Sequence, residues 1–314
     1  MRIVFIGTGE IGVPTLRALL ESPEHELAGV VTQPDKRAGR EQRVQAPPIK
    51  AALAGSGLRV LQPLRIKHDD AVAQIAALAP DVVVVMAYGQ ILSRQVLETP
   101  VIACLNLHAS LLPRHRGAAP VQATIVAGDI QSGITVMYMN EGLDTGDILL
   151  QRTIDLTPEE TGGSLHDRLG KIAPAALLDA LQLLAAGNAP RVSQKESEAT
   201  YAPKLEREHG RIDWREPAEL IARKIRAFDP WPGSFTAVRD ARGREHKLKI
   251  FRAKVRPNAT TRPGEIIGHE GEALVVPTSD GALSLEELQL EGARRMTAGE
   301  LLRGHAWLRS AALA

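Results

Sequence analysis

The sequence predicts an α/β fold in which a mostly parallel sheet precedes a small all-β barrel, and three observations carry that expectation. Short apolar, β-branched runs at residues 2–7, 27–32, 81–87, 101–107 and 133–139 alternate with longer segments of helical periodicity, the pattern of a parallel sheet covered on both faces. The pattern changes near residue 206, past which one helical stretch is followed by strand-like alternation broken by turn residues. The chain has 314 residues, which suits one large domain and a smaller second one.

The first run leads into Gly7-Thr8-Gly9-Glu10-Ile11-Gly12, glycines placed between a strand and a helix as in a dinucleotide fingerprint. The first domain is therefore expected to be Rossmann-like, and an NAD-binding oxidoreductase enters consideration. The second strand, however, runs out into Gln33-Pro34-Asp35. No acidic residue stands at its tip to hold a ribose, and Asp35 lies three residues beyond it, behind a proline. A tight βα turn that needs glycine accounts for the same residues.

Helices are expected at residues 14–20, 69–78, 119–127 and 163–186, the last with Leu165, Leu169, Leu177, Leu181 and Leu184 along one face. Pro174 should kink or split that helix. Gly187-Asn188-Ala189-Pro190 stops it, and the polar, poorly periodic residues that follow read as a connector. The expected division is 1–189 for a catalytic domain, 190–206 for a linker and 207–314 for a second domain. In the last of these a helix at 217–228 precedes strands with turns at 240–243, 268–271 and 279–281, which fits a small antiparallel, OB-like barrel.

Composition excludes several classes. With 44% hydrophobic and 24% charged residues the chain is of soluble globular type, and at 3% aromatics its core must be aliphatic. The single cysteine, Cys104, lies in the apolar run 101–107, so it reads as a buried strand residue and no disulfide framework is possible. The opening apolar run is too short for a secretory signal and no stretch reaches 18 apolar residues, from which a cytoplasmic location without membrane contact is expected. A net charge of +1 hides local clusters: residues 239–262 carry nine basic and two acidic side chains, and residues 36–50 five and one. Each cluster is either a solvated face or a surface for nucleic acid.

The chemistry concentrates after the fourth run. Residues i and i+2 of a strand share a face, so Asn106 and His108 project together beyond the carboxyl edge of the sheet, where α/β proteins bind ligands. A loop with two arginines and a glycine follows, Ser110 to Pro120, and Gly142-Leu143-Asp144-Thr145-Gly146-Asp147 turns tightly after the next strand. That turn is either an ordinary Asp-Gly turn or a means of bringing a carboxylate to His108. Ser110 lacks the Gly-x-Ser-x-Gly elbow of a nucleophile, and with no His-Glu-x-x-His and no paired cysteines a metal is not expected.

The segments Asn106-Leu107-His108, Ser110 to Pro120 and Leu143-Asp144-Thr145-Gly146-Asp147, in this order and spacing, resemble the folate-dependent formyltransferases. Gln33-Pro34-Asp35, Arg114-His115-Arg116-Gly117-Ala118-Ala119-Pro120 and Arg226-Ala227-Phe228-Asp229-Pro230-Trp231-Pro232-Gly233 are, within that superfamily, most similar to the methionyl-tRNA formyltransferases. The likeness spans nearly the whole chain. It departs at Lys36-Arg37-Ala38-Gly39-Arg40-Glu41, which lacks a proline before Ala38 and a glycine after Arg40 that relatives commonly carry.

The resemblance implies transfer of a formyl group from 10-formyltetrahydrofolate to the methionine of initiator tRNA by a monomer without a metal. It also implies that Asn106, His108 and Asp144 form the catalytic group. On chemical grounds His108 is the expected base, Asp144 the carboxylate bonded to its other ring nitrogen, and Asn106 a donor to the developing oxyanion, a contact of about 3 kcal/mol in other enzymes. Folate is expected along Met86-Ala87-Tyr88-Gly89-Gln90-Ile91-Leu92 and the Asp144 turn, with Ser110, Leu111, Leu112 and Pro113; tRNA is expected on Arg40, Arg43, Lys247, Lys249, Arg252 and Lys254. Three alternatives use the same or neighbouring features: formylation of a nucleotide-linked amino sugar, hydrolysis of the formyl-folate, and a nucleic-acid-binding module without catalysis.

Overall fold

Strands buried on both faces read as unbroken apolar runs, and the first three long strands of the sheet do so: Ile3 to Ile6 and Val82 to Val84 are wholly buried, and Val30 and Val31 likewise. The computed structural model describes residues 1–38, 42–240, 242–257, 262–270 and 273–313. They divide into two compact units. One takes Met1–Pro120, Gln131–Asp155 and His166–Pro203, the other Val121–Ile130, Leu156–Leu165 and Lys204–Ala314.

In the first unit the chain runs through β1 (Arg2–Gly7), α1 (Val13–Glu21), β2 (Glu26–Val31), a hairpin of β3 (Lys36–Ala38) and β4 (Arg43–Gln45), α2 (Pro48–Ala52) and β5 (Val60–Leu61). It continues through α3 (Asp69–Ala76), β6 (Val82–Met86), α4 (Arg94–Leu97), β7 (Ala103–His108), the short β8 (Arg116–Gly117), β9 (Gln131–Tyr138), β10 (Ile148–Asp155) and β11 (Tyr201–Ala202). Seven of these strands form one sheet in the order β10-β9-β7-β6-β1-β2-β5. Its centre is parallel, but β9 runs antiparallel to β7 and β10 antiparallel to β9. The expectation that 133–139 continues a parallel sheet is thus corrected. The segment from β7 through β8 and a helix at Pro120–Ala127 brings the chain back into β9 in the opposite direction, and the turn after β9, with no helical crossover, reverses it again into β10. The sequence reading also missed β10, whose residues 150–155 alternate between half-buried and exposed and so lack an apolar run.

One face of this sheet packs Val4, Ile6, Val31, Val83, Val85 and Cys104 against Ile75 and Leu78 near α3 and against Leu92 and Val96 near α4. Cys104 Sγ lies 3.8 Å from Met139 Sδ, and burial pushes its thiol up to about 12. The glycines at the end of β1 serve close packing: a Cβ on Gly7 would stand 2.8 Å from the Met86 carbonyl oxygen. The last helix of the unit belongs to α6 (Gly162–Ala185), which is preceded in the chain by α5 (Pro120–Ala127). α6 continues through Pro174 as one helix, so of the expected kink or split the split does not occur. The residue four positions earlier, whose carbonyl a proline leaves without its helical donor, is Gly170, whose missing side chain also brings the helix close to Ile11.

The second unit contains α7 (Ala218–Ala227), β12 (Ser234–Arg239), β13 (Glu245–Arg256), β14 (Gly268–Glu270), β15 (Ala273–Pro277), β16 (Ala282–Leu290), β17 (Met296–Thr297) and α8 (Ala298–Gly304). The sheet order is β12-β13-β16-β15-β14, antiparallel throughout, with β17 on the side of β16. Residues near the C-terminus carry the hydrogen bonding round from one side of the sheet to the other: Leu313 bridges Val238 of β12, Ala312 bridges Glu265, and Ile267 donates to Val275 of β15 at 3.1 Å. The expected barrel is therefore closed through an element that has no strand-length pattern of its own. Ile221 and Ile225 of α7, Leu248 and Ile250 of β13, Leu285 and Leu288 of β16 and Leu301 of α8 fill it. Thr297 and Glu300 form a reciprocal capping box at the start of α8. The expected turn at 279–281 is present, closed by Thr278 donating to the Gly281 carbonyl. In the turn expected at 268–271, residues 268–270 are strand and Gly271 lies outside the described residues, as does Ala241 of the turn at 240–243.

Two outcomes follow from this packing. Leu313 is buried where the barrel closes, so Leu313→Ala should lower stability by about 2–5 kcal/mol, read as a loss in the urea unfolding transition. At pH 8 only about one in 10⁴ thiols with a pKa near 12 is ionised, so Cys104 should resist a thiol reagent in the native protein and react at once in denaturant.

Candidate active site

Asn106 and His108 leave the carboxyl end of β7 on the same face, two residues apart, and the turn after β9 brings Asp144 to them. Asp144 Oδ1 accepts from Asn106 Nδ2 at 3.4 Å, and Asp144 Oδ2 accepts from the Gly117 backbone N–H at 2.8 Å and lies 3.7 Å from His108 Nδ1. His108 is 5% exposed, and its Nε2 donates to the His115 carbonyl at 2.9 Å. A carbonyl only accepts, so the hydrogen resides on Nε2 and the lone pair of the neutral ring on Nδ1, facing Asp144. The expectation that the carboxylate is bonded to the nitrogen that fixes the tautomer is corrected. A backbone carbonyl does that, and the carboxylate stands beside the basic nitrogen at a distance longer than a hydrogen bond.

The turn that delivers Asp144 depends on its glycines and its backbone. Asp144 itself has φ +53°, in the left-handed region that aspartate tolerates better than most residues, and a Cβ on Gly146 would sit only 1.7 Å from the Tyr138 carbonyl oxygen. On the facing loop, Gly117 has φ +113° and a Cβ there would lie 2.6 Å from the Ala202 carbonyl oxygen, because β8 pairs with β11. That pairing was not foreseen: residues 190–203, expected to be linker, contribute to the site. Gln194 Nε2 donates to the carbonyls of Asp144 and Gly146, both at 2.8 Å, while its Oε1 accepts from Arg116 Nε at 3.1 Å. Arg116 also pairs with Glu196, and the His115 N–H donates to Thr200 Oγ1 at 2.8 Å. These partners carry no local pattern; a glutamine in a polar stretch is the sole mark they leave in the sequence.

Of the residues expected to line a folate site, Met86, Tyr88 and Leu92 are buried. Tyr88, whose phenol burial pushes up to about 12, and Leu92 belong to the core cluster, and Leu92 sits in the loop before α4. Gln90 holds the loop by accepting from the Ile66 N–H and donating to the Leu64 carbonyl. What the segment presents outward is Ala87, Gly89 and Ile91. Ser110 and Leu112 are likewise buried: Ser110 donates to the Arg114 carbonyl, and Thr135 of β9 donates to the Ser110 carbonyl and accepts from the Leu112 N–H. Leu111 and Pro113 are half-buried. Asp35, the acidic residue that follows β2, is engaged by Gln62 at 2.7 Å and Lys50 at 2.8 Å, whose hydrogen bonds hold its carboxyl below the ordinary value.

Arg40 lies outside the described residues, and Arg43 is exposed on β4. In the second unit Lys247, Lys249, Arg252 and Lys254 all lie on β13, where irregular register between Ile250 and Ala253 keeps the exposed positions on one face. Lys247 Nζ sits 3.3 Å above the Phe235 ring, with its ammonium pKa lowered by burial and by Lys249 nearby. Arg252 and Lys254 share Glu286, at 2.9 and 2.8 Å. Among the described residues no three His, Cys, Asp or Glu side chains are grouped to hold a metal ion, and no helix is long and apolar enough to cross a membrane.

Residues 1–181 match the formyl transferase family model, and residues 204–306 match that for the formyl transferase C-terminal domain. A methionyl-tRNA formyltransferase from Akkermansia muciniphila is 46% identical over 306 residues, covering 97% of either chain. Among solved structures, an N-formyltransferase from Helicobacter canadensis in complex with folinic acid and dTDP-3-aminofucose shares the fold at TM-score 0.62 and 16% identity, over 94% of this chain and 100% of that one. HypX from Aquifex aeolicus in complex with tetrahydrofolic acid does so at TM-score 0.58 and 21% identity, over 96% of this chain and 47% of that one, so this chain spans about half of HypX. The match of both family models, and an identity well above that of the shared fold alone, place the chain in the formyl transferase family.

Proposed function

We propose that this chain transfers the formyl group of 10-formyltetrahydrofolate to the α-amino group of methionyl-tRNA, for the initiation of translation in the cytoplasm. One observation carries it: Asn106, His108 and Asp144 meet in a single contact network at the carboxyl edge of the sheet, in a chain nearly half identical to a methionyl-tRNA formyltransferase over almost its whole length.

Formyl transfer is amide exchange. The neutral amine adds to the formyl carbon, the carbonyl oxygen gains negative charge, and the amine must lose a proton. His108 Nδ1 bears the lone pair and accepts that proton, since Nε2 is committed to the His115 carbonyl. Asp144, 3.7 Å away, then offsets the positive charge on the ring. The Asn106 amide nitrogen carries two hydrogens. One is directed at Asp144, leaving the other for the oxygen that becomes negative. The proton on His108 returns to the folate nitrogen as the C–N bond to it breaks, which restores the neutral ring. The formyl donor fits beside the strip that turns Ala87, Gly89 and Ile91 outward, next to β7 in the sheet. The basic face of β13 supports a role for the second domain, residues 207–314 by the expected division, in holding the tRNA backbone.

Incubation with 10-formyltetrahydrofolate and, separately, charged initiator tRNA, an amino-sugar nucleotide or water alone tests the acceptor. Formyl-methionyl-tRNA is the expected product; formate release or a formylated sugar without it would overturn the assignment. His108→Ala and Asn106→Ala should each lower kcat by about 10²–10³-fold in the folded protein. For the tRNA face, Lys247→Ala with Lys249→Ala should flatten the fall of tRNA affinity with salt by about 1–2 units of log–log slope. Arg252→Ala with Lys254→Ala should flatten it less, since that pair is half neutralised by Glu286.

A further inference from the structure

His108 is held at Nε2 and flanked at Nδ1, and the two groups that do so sit on different loops. Nε2 rests on the His115 carbonyl, in the strip 115–117; Nδ1 faces Asp144, on the turn after β9. The Gly117 N–H closes the circuit by donating to Asp144 Oδ2. For the ring to present its lone pair in one direction, strip and turn must keep a fixed separation. Asp144 and His115 both have left-handed backbones, at φ +53° and +61°, conformations that persist only where surrounding bonds over-determine them.

One side chain spans the gap. Gln194 donates to the carbonyls on both sides of Thr145, those of Asp144 and Gly146, at 2.8 Å each, and accepts from Arg116 Nε, the residue between the two that touch His108 and Asp144. Glutamine suits this place because its amide offers two donors and an acceptor on one planar group, and neither glutamate nor methionine reproduces that set. Its neighbours are themselves anchored, since Val192 pairs with Ile148 in both directions and Ser193 donates to Asp147 at 3.0 Å.

We infer that Gln194 is a positioning residue for the formyl-transfer site, bracing the Asp144 turn against the 115–117 strip so that His108 keeps its Nε2–H tautomer and directs Nδ1 at the reacting amine. The inference rests on the reaction proposed above and names no residue that touches substrate.

Two variants separate the brace from general packing. Gln194→Met removes every hydrogen bond at similar length, and Gln194→Glu keeps the acceptor for Arg116 while losing both donors to the turn. With formylation as the assay, each should lose on the order of 10²-fold in kcat, the cost of a misplaced reacting group, with KM for folate and for charged tRNA close to wild type. ¹⁵N NMR of the His108 ring, without substrate, should give a single Nε2–H tautomer in the wild type and a mixture in Gln194→Met. Wild-type kcat in Gln194→Glu would overturn the inference, as would an unchanged tautomer in Gln194→Met. Parallel loss of kcat, KM and melting temperature in both variants would also overturn it, by reducing Gln194 to fold stability. Because the tautomer is read without turnover, a shift in it together with a wild type that formylates no tRNA would uphold the brace and sink the proposed substrate.

Discussion

The site depends on where one carboxylate can be put. Asp144 is only slightly exposed, and a carboxylate withdrawn from water needs donors; the Gly117 N–H and the Asn106 amide supply them. Reaching those donors requires a left-handed residue at the tip of the turn. It also requires a glycine two positions on, where any side chain would run into the Tyr138 carbonyl, and a second glycine on the facing strip, where β8 is pressed against β11. His108 could occupy the end of β7 without any of this. What the turn adds is a negative group 3.7 Å from the nitrogen that carries the lone pair, placed to offset the charge of an imidazolium formed during the reaction.

The long parallel strands were legible because burial on both faces writes an unbroken apolar run, and the longer helices because apolar residues recur with the helical period, whereas the short β5, α2, α4 and α8 span too few residues to show either pattern. The direction of β9 was not legible. An apolar run says that a strand is buried, while its direction is fixed by the connection that leads into it, here the segment through β8 and α5, which carries no mark of the reversal. The connector after α6 misled for a related reason: β11 is two residues long, and Gln194, Ser193 and Thr200 act through isolated side-chain hydrogen bonds, which leave no periodicity in the sequence.

The same distinction runs through the site. Spacing alone put Asn106 and His108 on one face, and the resemblance to a known family supplied Asp144 as their partner. The group that fixes the histidine tautomer is a main-chain carbonyl, so no residue type could have announced it. In the strip expected to hold folate, Met86 and Tyr88 turn to the core while Ala87 and Gly89, past the end of β6 and with left-handed backbones at φ +50° and +86°, are exposed, an arrangement of the turn that strand alternation could not announce.

The second unit shows how an irregular register reconciles charge with packing. Along β13, Leu248 and Ile250 point into the barrel, so strict alternation would send Arg252, Lys254 and Arg256 inward after them. Three cations would then enter a core lined by Leu285 and Leu288, at several kcal/mol each without partners. The register shifts on either side of Arg252, and from that point Ala253 and Val255 take the inward positions while the basic residues stay on the face that Lys247 and Lys249 occupy. A run of alternating basic and apolar residues whose phase slips by one residue is thus the sequence mark of a continuous cationic face wrapped on a closed apolar barrel. It is legible in advance only to a reader who asks which phase keeps every charge in water.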